Sequence, residues 1–183
     1  MLRLALFLLA SASIVRLSWR SLRHPRAHGF YRFFAFELLT ALILLHTPAW
    51  FHDPLSTRQL FAWSLGLASI VLAAEGFRLL LKVGKPAPTA ARDSNAAFEN
   101  TTVLVTSGAY RFIRHPLYAS LLALAWSAYL KNPFTATSIA LTTGATGFLI
   151  ATAVAEEHEN LRRFGAAYAA YMQRTRRFVP FLF

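Results

Sequence analysis

The sequence predicts an all-α, polytopic membrane protein of about five transmembrane helices. Three observations carry that expectation. Several apolar runs approach the roughly 20 residues that cross a ~30 Å hydrocarbon core at ~1.5 Å per residue. Of the 183 residues, 56% are hydrophobic and 15% charged, too apolar for an average soluble domain. The basic residues gather on alternate connections, the pattern of a chain threaded through a bilayer.

The five expected spans are 2–17, 33–50, 60–81, 117–130 and 134–155, the last two forming a C-terminal helical hairpin about Lys131, Asn132 and Pro133. The first run admits a second reading, because Leu4 to Leu9 followed by Ala10, Ser11 and Ala12 resembles a cleavable signal peptide. Cleavage would export the arginine-rich connection that follows, so 2–17 reads as a retained helix with Trp19 as an interfacial anchor. Residues 82–115 are polar and carry Gly84, Pro86, Pro88, Asp93, Ser94 and Asn95; they read as a loop outside the hydrocarbon. A single membrane domain over 1–183 follows, with three spans in 1–82 and the loop, hairpin and tail in 83–183.

All 19 Lys and Arg residues except Arg3, Arg58 and Lys131 fall on one side of this threading. The positive-inside rule places that side, with the long loop and the C-terminus, in the cytoplasm. The formal net charge of +11 then serves topology and attraction to anionic headgroups rather than nucleic acid. With no cysteine in the chain, disulfides, thiolate metal sites and cysteine nucleophiles are excluded. A multi-pass chain of this size without a eukaryotic retention signal fits a prokaryotic plasma membrane.

Two acids interrupt the spans. Glu75 has Arg78 three residues on as a local ion-pair partner, whereas Glu37 has no such neighbour and needs one from another span. In the last span, Ala136, Ala140 and Gly144, then Gly147, Ala151 and Ala155, recur every four residues. That spacing lets helix backbones approach closely and predicts a tight hairpin between the fourth and fifth spans.

The densest chemistry flanks this hairpin. Thr102 to Tyr118 holds Tyr110, Arg114, His115, Pro116 and Tyr118; after the hairpin come Glu156, Glu157, Phe164, Gly165, Tyr168 and Tyr171. Singly, Pro116 starts a helix and the tyrosines anchor at the interface. Together, a histidine, two acids and several tyrosines and arginines at one end of a hairpin make a site for a charged ligand.

From about Asn95 to Pro180 these residues resemble the isoprenylcysteine carboxyl methyltransferase and phospholipid methyltransferase group of integral membrane enzymes. The resemblance runs through Leu104-Val105-Thr106-Ser107-Gly108-Ala109-Tyr110, Arg114-His115-Pro116-Leu117-Tyr118, Glu156-Glu157, Phe164-Gly165, Tyr168, Tyr171 and Arg177-Phe178-Val179-Pro180. It implies S-adenosylmethionine as cofactor, in a cytoplasmic pocket formed by Thr102, Val103, Leu104, Val105, Tyr110, His115, Pro116, Leu117, Tyr118 and Glu156. No catalytic residue is named by it and no metal is required. His115 is expected to contact ligand rather than act as base, since a carboxylate nucleophile has no proton to lose. The implied partners are membrane lipids and a lipidic or small methyl acceptor, an isoprenylcysteine-type carboxylate ahead of a phospholipid amine. One departure bears on the acceptor: the eukaryotic carboxyl methyltransferases have an arginine for substrate four residues before the cofactor glutamate, where this chain has Thr152; Arg162, Arg163 or Arg176 are the candidate replacements. Two other classes stay open, a nicotinamide-dependent membrane reductase, for which no glycine-rich dinucleotide loop is visible, and a non-catalytic membrane scaffold.

Overall fold

The computed structural model describes residues 1–85, 101–133 and 135–182. Pro86, Pro88, Asp93, Ser94 and Asn95 of the expected loop, and Phe134, lie outside the described residues. Among the described residues the regular structure is helical: α1 (Leu2–Leu22), α2 (His28–His46), α3 (Thr57–Lys82), α4 (Pro116–Lys131), α5 (Ala136–Phe164) and α6 (Ala166–Arg174), with short 3-10 turns at Thr47–Ala49 and Gly108–Arg111. The all-α membrane architecture read from the sequence is therefore the observed one.

Among the described residues, four helices are long and apolar enough to cross a membrane: α1, α2 with its following turn, α3 and α5. The expected fourth span, α4, has 16 residues and is about 24 Å long, short of a full hydrocarbon core. It is held at both ends instead. At its C-terminal end Arg58 donates to the carbonyls of Leu130 and Lys131, the latter at 2.6 Å. His46 lies 2.7 Å from the Ala128 carbonyl and 2.7 Å from Ser138 Oγ. These contacts satisfy carbonyls that a helix end leaves open. Lys131, expected at the hairpin connection, is 1% exposed; its Nζ donates to Gln59 Oε1 at 2.9 Å and sits 3.1 Å from the Trp63 ring centroid, where the ring face favours a cation.

Close packing falls elsewhere than the small-residue stripe suggests. The main pairings are α3 with α4 and α2 with α5, not α4 with α5. A Cβ on Gly76 of α3 would meet Leu117 at 3.1 Å, and one on Gly66 would meet Ser127 Oγ at 3.2 Å. On α5, Gly144 approaches Leu38 of α2, while Gly147 has open space around it and Ala136 and Ala140 are exposed. The seam of α4 is instead made by its own Ala119, Ser120, Ala125, Ser127 and Ala128, all buried. Their spacing is less regular than the stripe on α5, so periodicity favoured the wrong partner.

The two acids behave as their positions demand. Arg78 donates to Glu75 from Nε and Nη2 at 3.0 Å. Glu37 accepts from Ser11 Oγ of α1 at 3.0 Å, the partner from another span.

Candidate active site

α5 continues nine residues past the end of the apolar run, to Phe164. The apolar pattern stops at Glu156, but Glu, Leu and Arg are good helix formers, so the helix does not. This extension presents Glu156, Asn160 and Phe164 on one face, four residues apart. Gly165 stops it with φ +55, a conformation only glycine adopts cheaply. The chain reverses into α6, whose Tyr168 and Tyr171 are buried. Across from α5, a Cβ on Gly108 (φ +57) would strike Glu75 Oε1 and Leu79 Cδ1 at 2.6 Å. The absence of that Cβ lets the turn Gly108–Arg111 seat against α3 and bury Tyr110.

A latch closes the arrangement. Arg114 N donates to Arg176 O at 2.7 Å, Arg176 N to Phe112 O at 3.1 Å and His115 N to Arg177 O at 3.1 Å, so the tail pairs with the strand-like approach to α4. Glu157 is the hub beneath it: it accepts from Arg114 Nε at 2.8 Å and Arg177 Nη2 at 3.0 Å, and lies 3.4 Å from His115 Nε2. Arg114 also donates to the carbonyls of Met172 and Thr175. The Tyr171 hydroxyl donates to Tyr110 O at 2.6 Å, tying α6 to the turn.

These elements enclose a cavity of about 520 Å³, within the range of small-molecule sites. Of the ten sequence-predicted residues, Leu104, Val105, Tyr110, His115, Leu117, Tyr118 and Glu156 line it. The structure does not bring Thr102, Val103 and Pro116 to it. Thr102 N and Val103 N donate to Gly84 O, and Thr102 Oγ1 to Lys85 O at 2.8 Å; these contacts pin both residues back on the end of α3, where they are exposed. Pro116 is the buried first residue of α4 and faces Gly76. Glu156 accepts from the Tyr118 hydroxyl at 2.5 Å, and His115 stacks on the Tyr118 ring with centroids 5.5 Å apart.

The lining also includes residues outside those ten: Phe164, Tyr168 and Tyr171, which the sequence reading placed beside the site, Thr101 and Asn160, which it did not, and from the N-terminal spans Arg32, Phe36, Ala73 and Phe77. Asn160 and Phe164 were findable as the continuation of Glu156 along a helix face. Arg32 carries no such signal: counted with the loop arginines, it lies on the second turn of α2 and is 4% exposed. Thr152 turns away, donating to Phe148 O at 2.7 Å. None of Arg162, Arg163 and Arg176 lines the cavity. Among the described residues, no group of three or more His, Asp or Glu side chains is placed to hold a metal ion.

Burial is the main reason that the hydroxyls of Tyr110, Tyr168 and Tyr171 are pushed well above the ordinary tyrosine range, with Glu156 adding to the effect at Tyr110 and Tyr168. All three are therefore neutral donors at physiological pH. In the folded protein they keep a proton that the unfolded chain releases near pH 10, so stability falls as pH rises above about 10. An ultraviolet titration is expected to show no more than three of the six tyrosines ionising by about pH 11, the rest appearing with unfolding.

Residues 93–163 match the family model described as the isoprenylcysteine carboxyl methyltransferase (ICMT) family. No curated protein and no solved structure matches the chain. The family supported by this match is that of the isoprenylcysteine carboxyl methyltransferases, membrane methyltransferases, and residues 93–163 are the part of the chain that carries it.

Proposed function

We propose that the protein transfers a methyl group from S-adenosylmethionine to the carboxylate of an isoprenylcysteine-type lipidic acceptor, at the cytoplasmic face of the membrane. The observation that carries this reading is a single cavity in which one carboxylate, Glu156, stands among the aromatic side chains of Phe36, Phe77, Tyr110, Tyr118, Phe164, Tyr168 and Tyr171. Methyltransferases of the matched family are S-adenosylmethionine-dependent in general, and the donor set suits such a cofactor, since aromatic faces and a carboxylate favour cationic groups.

When bound, the cofactor supplies an electrophilic methyl group: an acceptor carboxylate oxygen forms the new O–C bond, the C–S bond breaks with its electron pair left on sulfur, and no proton is released. The chain's own residues then have three tasks. Glu156 holds positive charge and is itself oriented by the Tyr118 hydroxyl. Tyr110, Tyr168 and Tyr171, with the latch behind them, exclude water from the reacting ions. The turn at Gly108–Arg111 and the first turn of α4 fix the two reactants at short range, which is the main source of rate for a displacement that needs no acid or base. His115, held by Glu157, is a positioning residue and ligand contact in this scheme. The apolar wall from Ala73, Phe77, Leu117 and Leu121 suits the hydrocarbon of a lipid entering from the bilayer.

Isothermal titration of the detergent-purified protein with S-adenosylhomocysteine tests the cofactor half of this reading. Micromolar binding is expected. No binding by well-folded protein would contradict it and favour the scaffold or reductase classes.

A further inference from the structure

α2 and α5 pack together in the membrane and supply two walls of the cavity. Gly144 of α5 lies against Leu38 of α2, and Phe148 stacks on Phe34 with ring centroids 5.0 Å apart. Arg32 and Phe36 line the cavity from α2, and Glu156, Asn160 and Phe164 line it from α5. At the cytoplasmic end the two helices are joined once more. Glu159 accepts from the His28 backbone N–H at 2.9 Å and from its Nδ1 at 2.7 Å. Ala27, just before α2, provides no side-chain cap, so the open N–H groups of the first turn need acceptors from elsewhere. Glu159 supplies one from 131 residues away, at the helix end where the dipole favours a carboxylate. The pair is largely withdrawn from water, with side-chain exposures of 11% for His28 and 35% for Glu159.

Neither residue of this clasp lines the cavity, but each stands on an element that does. His28 precedes Arg32 and Phe36 by four-residue steps, on the same face of α2. On the α5 extension, Glu157 and Glu159 are two residues apart and point to nearly opposite sides, with the Glu156 and Asn160 face between them. The extension is therefore braced twice, by the latch through Glu157 and by α2 through Glu159. The second brace ties the matched part of the chain, residues 93–163, to the N-terminal spans. On the reading that the cavity holds a methyl donor and its acceptor together, we infer that Glu159 and His28 are positioning residues, which set the separation of the α2 and α5 walls and with it the approach of the acceptor to the methyl group. Without the clasp, the latch still holds Glu156 and Asn160 against α6 and the Gly108–Arg111 turn, so the donor keeps its contacts. The α2 wall is the part that shifts.

The test compares the native sequence with Glu159→Ala and Glu159→Gln in detergent-purified protein. Glutamine keeps an oxygen for the His28 N–H and an amide that can meet Nδ1 in its other tautomer, so it preserves the clasp without the charge. Because the chain has no cysteine, spin labels at Arg26→Cys and His158→Cys, both exposed positions, report the distance between the start of α2 and the α5 extension. Glu159→Ala is expected to lengthen and broaden that distance, and Glu159→Gln to keep it. With N-acetyl-S-farnesylcysteine as acceptor, Glu159→Ala lowers kcat about 10- to 100-fold, the scale for misplaced reactants. Its affinity for S-adenosylhomocysteine stays within about threefold of native, the signature of lost placement rather than lost binding, and Glu159→Gln recovers most of the rate. An unchanged distance in Glu159→Ala, donor affinity that falls in step with kcat, or equal losses in the two variants overturns the inference. Absence of transfer by the native protein instead overturns the methyltransferase reading on which the catalytic role rests, while the label distances still decide whether the pair sets the separation of the walls.

Discussion

Replacing Glu156 with alanine is expected to weaken S-adenosylmethionine binding by about 2–4 kcal/mol, roughly 30- to 1,000-fold, the scale for removing one partner of a buried charge pair. The side chain is the acid nearest the cavity's aromatic walls, and Tyr118 holds its carboxylate at 2.5 Å. Tyr118→Phe, which removes only the orienting hydrogen bond, is expected to cost about 0.5–1.5 kcal/mol. Titration calorimetry on both variants checks the order. Equal effects would mean that the hydroxyl rather than the charge does the binding, and no effect of Glu156→Ala would remove the carboxylate from the site.

Substituting the adjacent acid should do something different. Glu157 is 4% exposed at its side chain and pairs with Arg114, itself 9% exposed, with Arg177 and with His115. Glu157→Ala leaves the Arg114 guanidinium buried without its counter-ion, an effect of about 3–5 kcal/mol on stability. The loss should be local first. Arg114 also ties the carbonyls of Met172 and Thr175, so the tail is expected to detach from the entry to α4 and become open to trypsin at Arg174, Arg176 and Arg177. Limited proteolysis with a thermal melt reads this directly; a native cleavage pattern with lost cofactor binding would put Glu157 in the cavity and contradict the latch.

The neighbouring glutamates show what the sequence could and could not convey. Their position after an apolar helix marked them for the hairpin's basic end, and the family resemblance singled out Glu156. That Glu157 points a third of a turn away, into a cage of two arginines and a histidine, depends on Arg177 returning across the chain, a pairing without a local pattern. The spans were legible because bilayer crossing imposes length and polarity on each helix separately. Helix pairing was not, since the regular small-residue stripe of α5 faces α2 in part and open space in part, while α4 meets α3 where Ser127 donates to Ala62 O and where Gly66 and Gly76 leave room for Ser127 and Leu117. Thr102 and Val103 do not line the cavity, for a related reason. They adjoin Leu104 and Val105 in sequence, but the chain crosses from the end of α3 into the cavity wall between them. Arg32 was out of reach, because a cation on the second turn of an otherwise apolar helix looks like any loop arginine until α2 is packed against α5.

Transfer of labelled methyl from S-adenosylmethionine to N-acetyl-S-farnesylcysteine by the purified protein, followed by alkali treatment, tests the central claim most directly. The account predicts product label that alkali releases as volatile methanol, the behaviour of a methyl ester. Label that stays on the acceptor through alkali, or no transfer by protein that binds the cofactor, would contradict carboxyl methylation as the reaction of this site.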